Sequence, residues 1–392
     1  MLNFDLHTPT RVVYGKGEEN NIGALIKSYD AKKVLVHYGG KSAEKSGLLG
    51  RVYASLENAG LEHVSLGGVK PNPRLSLVHK GIELAKKENI DFVLAVGGGS
   101  VIDSSKAIAV GYYYDGDVWD LYENKIPPKA ILPVATILTI PAAGSESSIS
   151  SVITNEEKQM KIGYDFDLLR PVFSVVDPEL FFTLPENQVA NGVADILSHI
   201  FERYFTNTKN TDLSDGLAEA TMRTVIKNAR IVHENPNDYN AWFEIGFSGS
   251  FAHNNILGVG REQDWASHNI EHQLSALYDI AHGAGLAIVT PAWIKYVYKT
   301  NPGIFKQWAI NVWGVDASRD DEYVIYEGIR RYEAFSKELG LPTRLSDLSI
   351  DDKDFERMAR MATGAEWGKE SELGGLQKLN TQDVVNIYNL AK

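Results

Sequence analysis

Hydrophobic positions in the first half of the chain form short apolar runs, and longer stretches with amphipathic spacing lie between them. Val, Ile and Leu runs separated by helices of this length are typical of right-handed βαβ units on a parallel sheet. The predicted strands are 33–37, 63–66, 91–96, 131–138 and 172–176. The predicted helices among them are 48–59, 75–87 and 100–110. The first half therefore predicts an α/β domain with a Rossmann-like parallel sheet.

The pattern changes after Asp177, and from Pro185 onward apolar residues recur only at helical spacing. A proline suits the first turn of a helix, where its missing N–H group costs nothing. The predicted helices are 186–206, 211–234, 238–258, 265–278, 284–299, 319–339 and 380–391. We therefore predict an α/β domain over residues 1–183 and an all-α helical domain over residues 184–392. A cleft between two such domains is the usual place for a small-molecule site.

Composition narrows the classes of function. The formal net charge of -12 at pH 7 argues against a sequence-independent grip on nucleic acid or on an anionic membrane. The chain has no cysteine, so a metal must be held by His, Asp, Glu or backbone oxygens. The longest apolar run, residues 130–144, is too short to cross a bilayer and contains two prolines. The amino terminus has no signal-peptide pattern, so we expect a cytoplasmic protein.

Gly97, Gly98, Gly99 and Ser100 follow one predicted strand and open the next predicted helix. Glycines there let the backbone approach a ligand closely, and the N–H groups at a helix start favour a phosphate. The loop lacks the G-x-G-x-x-G fingerprint, so a plain tight turn from strand to helix remains an alternative. Asp103 also suits the positive end of the helix, so its position alone does not assign it to a ligand.

A second glycine turn, Gly39 and Gly40, follows the first predicted strand, and Lys41 and Ser42 come next. Many NAD-binding folds place Asp or Glu at such a strand end to hold the ribose hydroxyls, and this turn has neither. Small residues, a hydroxyl and a lysine would accommodate a 2′-phosphate, which favours NADP over NAD. A solvated surface charge is the alternative interpretation of Lys41.

Asp195 and His199 lie four residues apart in an apolar helical pattern, so both side chains share one helix face and can reach one metal. His268 and His272 repeat that spacing, and His282 follows shortly before two glycines. One carboxylate with several imidazoles suits Fe(II) or Zn(II) and leaves room for a substrate oxygen, which the metal would polarise as a Lewis acid. Spacing alone does not decide whether His268 or His272 is the ligand.

These residues and several longer segments resemble the iron-containing alcohol dehydrogenase family, in particular its butanol dehydrogenase-like, NADPH-dependent aldehyde reductase branch. The resemblance covers essentially the whole chain. Two signature segments are long and specific, one from Asp177 through Glu202 and one from Trp265 through Gly283. The shorter matching segments are 3–11, 15–17, 71–73, 97–100 and 141–146.

The resemblance implies a dehydroquinate synthase-like two-domain fold, with a nucleotide-binding α/β domain and a metal-binding helical domain. It implies a metal-dependent alcohol dehydrogenase or aldehyde reductase that transfers a hydride between NADP(H) and a small primary alcohol or aldehyde such as butanal. The metal ligands would be Asp195, His199, His268 and His282. His272 would be a catalytic proton relay beside the nicotinamide rather than a ligand. The family also implies a homodimer.

The same resemblance assigns residues to a groove for NADP, with NAD as the alternative cofactor. Those at the adenosine ribose and its phosphate would be Gly39, Gly40 and Ser42. Those along the rest of the groove would be Asn72, Gly97, Gly98, Gly99, Ser100, Asp103, Thr139 and Lys161. Many relatives carry Thr-Thr-x-x-Gly-Thr-Gly-Ser-Glu where residues 139–146 of this chain read Thr-Ile-Pro-Ala-Ala-Gly-Ser-Glu, which weakens only the contacts assigned to that segment.

Two other functions remain as alternatives. A dehydroquinate synthase-like lyase would use NAD and a metal on the same two-domain plan, by analogy of fold alone. It would need a strongly basic pocket for its substrate, whereas apolar residues such as Trp265, Leu274 and Ile280 accompany the predicted metal ligands. A non-enzymatic metal- or nucleotide-binding protein would need only one of the two predicted sites.

Overall fold

Six parallel strands form the central sheet of the unit His7–Leu184, one of two units in the computed structural model, which describes residues 1–392. Its strands are β1 (Arg11–Tyr14), β2 (Lys33–Tyr38), β3 (Glu62–Leu66), β4 (Phe92–Gly97), β5 (Val134–Leu138), β6 (Ser150–Asn155), β7 (Met160–Asp165) and β8 (Phe173–Val176). Its helices are α1 (Ile22–Lys27), α2 (Ser42–Lys45), α3 (Leu48–Asn58), α4 (Leu75–Lys87), α5 (Gly99–Gly111) and α6 (Val118–Asn124). The sheet order is β1-β8-β5-β4-β2-β3, and β6 and β7 form a separate antiparallel pair.

Side chains of the central strands point alternately to the two faces of this sheet. Leu35 and Val93 pack into one apolar cluster with α4, α5 and α6. Val34 and Leu94 pack into the other cluster with α1 and α3. Because helices cover both faces, β4, β5 and β8 are buried along their whole length. The predicted Rossmann-like parallel sheet is confirmed.

The strand order reverses between β2 and β4, which are hydrogen-bonded neighbours although β3 lies between them in sequence. Tyr38 at the end of β2 pairs with Val96 near the end of β4, so the loops that follow these strands leave the same edge of the sheet. Connections that diverge from neighbouring parallel strands open a crevice at the carboxyl ends, where α/β proteins bind ligands. The fold therefore brings the two glycine turns to one place.

Three strands of this unit lack the apolar runs from which strands are predicted. β1 has only four residues at the edge of the sheet, and β6 and β7 mix polar residues with apolar ones. The strand predicted at 131–138 begins only at Val134, since Pro133 has no N–H group for the sheet.

Nine α-helices build the second unit, which contains Pro185–Lys392 and Met1–Leu6. They are α7 (Glu186–Tyr204), α8 (Asp212–Glu234), α9 (Tyr239–His253), α10 (Ala266–Tyr278), α11 (His282–Val297), α12 (Pro302–Asn311), α13 (Asp321–Glu338), α14 (Phe355–Ala362) and α15 (Thr381–Leu390). The predicted helical character is confirmed, but the sequence pattern did not predict α12 or the eight-residue α14. None of these helices has the length and apolar character needed to cross a membrane.

Aromatic side chains fill the core of the helical unit around α7. Phe201 lies 5.7 Å from Trp308 and 5.3 Å from Tyr332, measured between ring centroids. Phe205 lies 4.5 Å from Phe305. Because such packing surrounds α7, all of its residues from 192 to 204 are buried, including the polar ones. This helix therefore carries polar side chains into the interior.

The first six residues belong to the helical unit, whereas the predicted boundary places them in the α/β domain. The Leu2 N–H group donates to the Gly260 carbonyl at 2.7 Å, and the Met1 ammonium group donates to the Lys209 carbonyl at 2.6 Å. Both acceptors lie more than two hundred residues away in sequence, so no local pattern indicates these contacts.

Candidate metal centre and cofactor site

Helix α7 carries a stripe of polar residues through the core of the helical unit. Asp195, His199 and Glu202 are spaced i, i+4 and i+7, which places them on one helix face. Asp195 and His199 are each 5% exposed, and His199 Nε2 lies 3.3 Å from Asp195 Oδ1. The helix thus brings a carboxylate and an imidazole together inside the protein.

Two further histidines approach Asp195 from neighbouring helices. His268 lies in the first turn of α10, and His282 is the first residue of α11. Their Nε2 atoms lie 4.0 and 3.9 Å from Asp195 Oδ1. Helix α11 can come this close to α7 because residue 283 is glycine. A Cβ atom at that position would lie 2.0 Å from the Asn191 carbonyl oxygen. Three imidazole nitrogens therefore surround a single carboxylate oxygen.

Two of the converging atoms have no hydrogen-bond partner. Asp195 Oδ1 and His268 Nε2 are buried, and neither makes a hydrogen bond. Burying polar atoms without partners costs free energy, and a divalent cation among them would supply the missing interaction. Both iron and zinc bind carboxylate oxygen and imidazole nitrogen as ligands, so these residues fit the predicted metal.

His199 is held in the neutral form, in which an imidazole can bind a metal. Burial lowers the pKa of His199 well below its usual value, and the neighbouring Arg203 guanidinium lowers it further. Arg203 donates to the His199 carbonyl at 2.8 Å, and its guanidinium group lies 4.7 Å from the centre of the Trp265 ring. This fixed cation disfavours a second positive charge on His199.

His272 lies one turn after His268 on α10 but outside the group around Asp195. Its ring centroid lies 6.5 Å from that of His268 and 5.4 Å from that of His282. Its ligand atoms group with those of Glu271 and His282, whereas Asp195 groups with His268 and His282. Sequence spacing leaves the choice between the two α10 histidines open, and this geometry favours His268 as the ligand.

The sequence patterns predicted no role for two buried carboxylates that lie beside these histidines. Glu202 contacts His268, and Glu271 contacts His282. Burial raises the pKa of Glu202, but the hydrogen bonds that it accepts from His268 and Ser267 outweigh that effect, so its pKa is lowered. Glu202 follows His199 by three residues, and this helical spacing was the signal that could have identified it. Glu271 follows His268 by the same three residues on α10, but this spacing does not indicate its contact with His282.

In the α/β unit, predicted cofactor residues gather at the carboxyl ends of β2 and β4. Gly39 and Gly40 follow β2, and Ser42 is the first residue of α2. A Cβ atom on Gly39 would lie 3.7 Å from the Val101 side chain of α5, so the turn after β2 lies against the helix that follows β4. Gly40, Lys41 and Ser42 are exposed, and the turn carries no acidic side chain that could hold a ribose.

Gly97 ends β4 and Gly99 begins α5, with Gly98 between them. A Cβ atom on Gly98 would lie 3.0 Å from the Ile140 side chain, and one on Gly99 would lie 3.3 Å from Ala143. The loop therefore has little room for side chains. The first N–H groups of a helix have no acceptor within it, so this loop can present them to a phosphate.

The remaining predicted groove residues lie at two places in the α/β unit. Ser100 is half-buried in the first turn of α5, and the Thr139 N–H group donates to the Gly97 carbonyl at 3.1 Å. Lys161 of β7 donates from Nζ to Asn72 Oδ1 at 3.0 Å. The hairpin of β6 and β7, absent from the predicted strands, is therefore the element that joins Lys161 to Asn72.

The Asp103 carboxylate is bound by other groups of the chain. It accepts hydrogen bonds from the Ser145 hydroxyl at 2.5 Å and from the Val152 N–H group at 2.9 Å. Lys106 is buried one turn later and donates to the carbonyl oxygens of Ser145 and Ser150 at 2.7 and 2.8 Å. Burial raises the pKa of Asp103 to about 6 and lowers that of Lys106 to about 8. The pair fixes the segment after β5, so Asp103 shapes the glycine loop through that segment.

Comparison with known proteins covers nearly the whole chain. Residues 9–178 match the family model described as iron-containing alcohol dehydrogenase, and residues 189–391 match the model of the C-terminal domain of Fe-containing alcohol dehydrogenases. The chain is 42% identical to NADH-dependent butanol dehydrogenase A of Clostridium acetobutylicum over 99% of each chain. It is 36% identical to the NADPH-dependent aldehyde reductase YqhD of Escherichia coli over 90% of each. The crystal structure of NADH-dependent butanol dehydrogenase A from Thermotoga maritima, 42% identical, matches with a TM-score of 0.96 over 100% of this chain and 99% of that one.

Proposed function

Because this chain belongs to the iron-containing alcohol dehydrogenase family, we propose that Asp195, His199, His268 and His282 hold its metal ion. The chain is an alcohol dehydrogenase or aldehyde reductase, and its family supports a nicotinamide cofactor and iron. The relatives compared above are dehydrogenases and reductases, so we set aside the lyase and the non-enzymatic binding protein.

The convergence of three imidazole nitrogens on one buried carboxylate oxygen is the observation that carries the ligand assignment. These nitrogens lie 3.3 to 4.0 Å from Asp195 Oδ1, and that oxygen makes no hydrogen bond. A purely structural cluster would pair its buried polar atoms with one another. The same ligands accept zinc, which we propose as the alternative to iron.

When bound, an iron or zinc ion at these four side chains would act as a Lewis acid on a carbonyl oxygen. The protein itself holds three imidazoles and one carboxylate rigidly in its interior, where electrostatic interactions are stronger than in water. We propose that His272, half-buried beside His282, relays a proton to the product oxygen directly or through water.

We propose that the α/β unit binds the cofactor at the carboxyl ends of β2 and β4 and prefers NADP over NAD. The glycine loop after β4 offers helix N–H groups to a pyrophosphate. Lys41 and Ser42 are exposed where NAD-binding folds often carry a carboxylate. The relatives' names include both NADH-dependent and NADPH-dependent enzymes, so this preference rests on Lys41 and Ser42 alone.

Oxidation of NADPH by the purified, Fe(II)- or Zn(II)-loaded protein with butanal tests these proposals. The same assay is run with NADH and with a chelator-treated sample. We expect chelator-sensitive turnover that is faster with NADPH. Full turnover after metal removal would contradict the metal assignment, and equal or faster turnover with NADH would contradict the cofactor preference.

We also propose that the chain forms a homodimer. Large apolar side chains are exposed on α8 and α9, among them Leu213, Leu217 and Phe247, and burial against a second copy would remove their surface from water. Light scattering coupled to size-exclusion chromatography should give twice the chain mass of 43.4 kDa. A mass equal to that of one chain would contradict the proposal.

A further inference from the structure

Two of the histidines around Asp195 are each bound at Nδ1 by a buried carboxylate. His268 Nδ1 lies 2.7 Å from Glu202 Oε1, and His282 Nδ1 is in close contact with Glu271 Oε2. Glu202 is 1% exposed, and Glu271 is fully buried. We propose that Glu202 and Glu271 are positioning residues that fix the two histidines in the tautomer whose Nε2 lone pair faces Asp195 and the metal. This inference rests on the metal centre proposed above.

Both carboxylate oxygens of Glu202 accept hydrogen bonds from backbone N–H groups, which can only donate. Oε2 accepts the Trp265 N–H group at 2.6 Å, and Oε1 accepts the His268 N–H group at 3.0 Å. Oε1 also accepts the Ser267 hydroxyl at 2.6 Å. With both oxygens acting as acceptors, the contact to the His268 ring requires a proton on Nδ1. Nε2 of that ring then carries the lone pair that a metal needs.

Glu202 also holds the start of α10. Trp265, the N-cap residue of α10, has a left-handed backbone with a φ of 67° and no side-chain cap. This conformation is costly for a large residue and persists only where its surroundings impose it. By bonding the N–H groups of Trp265 and His268, Glu202 caps α10 from α7. Glu202 therefore has a structural role as well, and Glu271 gives the cleaner test.

Glu271 reaches from α10 to the first residue of α11. Its Oε1 accepts the Ser275 hydroxyl at 2.5 Å, and its Oε2 contacts the His282 ring. A Cβ atom on Gly285 would lie 2.5 Å from Oε1, so the carboxylate fits only because residue 285 is glycine. The other nitrogen of the His282 ring lies 3.9 Å from Asp195 Oδ1. The ring is thus held between two carboxylates, one at each nitrogen.

An alternative interpretation makes Glu271 a metal ligand. Glu271, His272 and His282 also bring ligand atoms within 4.8 Å of one another. Losing a ligand removes the metal, whereas losing the hydrogen-bond partner of a ligand lowers metal affinity by about 10–100-fold. The size of the effect therefore separates the two roles.

Three isosteric variants test the proposal: Glu202→Gln, Glu271→Gln and, as a control, Glu219→Gln. Glu219 is buried in the same unit and accepts hydrogen bonds from Tyr204 and Gln307 instead of a histidine. Dissociation constants for Zn(II) are measured by competition with a chromophoric chelator, and thermal unfolding of the metal-free proteins reports on structure. We expect the dissociation constant to rise about 10–100-fold in the two test variants and to stay at the parent value in the control.

Imidazole tautomers give a readout that a purely structural role would not change. NMR of metal-free protein with isotope-labelled histidine should show His268 and His282 protonated at Nδ1. In Glu271→Gln, His282 should shift towards protonation at Nε2, and this variant decides the test if Glu202→Gln fails to fold. An unchanged tautomer with an unchanged Zn(II) affinity would overturn the proposal, as would complete loss of Zn(II) from a normally folded Glu271→Gln. A parent protein that binds no Zn(II) would overturn the proposed metal centre instead.

Discussion

The two units of this chain build their proposed sites from different parts of the polypeptide. In the α/β unit, backbone N–H groups of the glycine loop are placed by the order of strands in the sheet. In the helical unit, helices α7, α10 and α11 aim individual side chains at one carboxylate oxygen. One site depends on the absence of side chains, and the other depends on particular atoms of particular side chains.

This difference predicts how each site responds to substitution. A phosphate is bound by several equivalent backbone amides, so the loss or displacement of one of them weakens binding without abolishing it. A metal is bound by a few distinct atoms, and no neighbouring group replaces one that is lost. We therefore expect graded effects at the glycine loop of the α/β unit and all-or-none effects at the four proposed metal ligands of the helical unit.

The largest expected effect is at His268. His268→Ala removes one imidazole and leaves Glu202 and Asp195 without the ring between them. We expect loss of bound metal and a fall in kcat/KM with butanal on the order of 10³-fold, because Lewis-acid stabilisation is worth several kcal/mol. Metal analysis and cofactor oxidation measure both, with His233→Ala on exposed α8 surface as the control. A variant that kept its metal and its activity would refute the ligand assignment.

The next effect concerns the stability of the α/β unit. Burial raises the pKa of Asp103 from 3.8 to about 6. A carboxyl whose pKa is raised by folding binds more protons in the native state than in the unfolded state. Its contribution to the free energy of unfolding is therefore fully present below about pH 4 and is lost as the pH rises through about 6. Two pKa units correspond to roughly 2–3 kcal/mol. Asp103→Asn removes this titration, so relative to the variant the parent should lose stability across that window.

Urea unfolding of the parent and of Asp103→Asn at pH values from about 4 to about 7 measures this difference in unfolding free energy. The difference should change up to about pH 6 and be constant above it. A difference that does not vary with pH would contradict the buried environment of Asp103. Metal content at neutral pH should be the same in both proteins, because the proposed ligands lie in the other unit.

Much of this architecture could be predicted because burial leaves a strong pattern in the sequence. Strands such as Phe92–Gly97 are covered on both faces and therefore read as continuous apolar runs. The hairpin strand Ser150–Asn155 mixes polar and apolar residues, so its sequence gives no such run. Residues 1–6 escape prediction for another reason, since their partners Lys209 and Gly260 are distant in sequence.

The candidate metal centre likewise has some features that local sequence predicts and others that depend on how the helices pack. The spacing of Asp195 and His199 is local and predicts a shared helix face. The choice between His268 and His272 depends on where α10 lies relative to α7. The spacing of residues within α10 gives no information about that position. The contact of Glu271 with His282 spans eleven residues and two helices, so only the packing of those helices reveals it.

A graded effect is expected at Gly98. In Gly98→Ala the new Cβ would lie 3.0 Å from the Ile140 side chain, so the neighbouring segment must shift by a few tenths of an ångström. We expect the dissociation constant for NADPH, measured by fluorescence titration, to rise about tenfold, the size of an ordinary single-residue effect. In the control Gly50→Ala on α3, the new Cβ meets nothing within 4 Å. An unchanged affinity for NADPH would argue against the loop as a phosphate site. Loss of metal from Gly98→Ala would show that the two sites do not respond independently to substitution.

The smallest effect is expected at Lys41, whose side chain is exposed. Exposed charge pairs contribute little and are screened by salt, so Lys41→Ala should lower the ratio of kcat/KM for NADPH over NADH about twofold to fivefold, and less at high salt. Lys45→Ala, with the same change of charge on α2, is the control. If the NADPH-to-NADH ratio is unchanged, the backbone and the Ser42 hydroxyl determine the choice of cofactor. The α/β site would then depend on backbone groups even more than we expect. A complete loss of NADPH preference would mean that the α/β site also depends on a single side chain, and the comparison would fail at that residue.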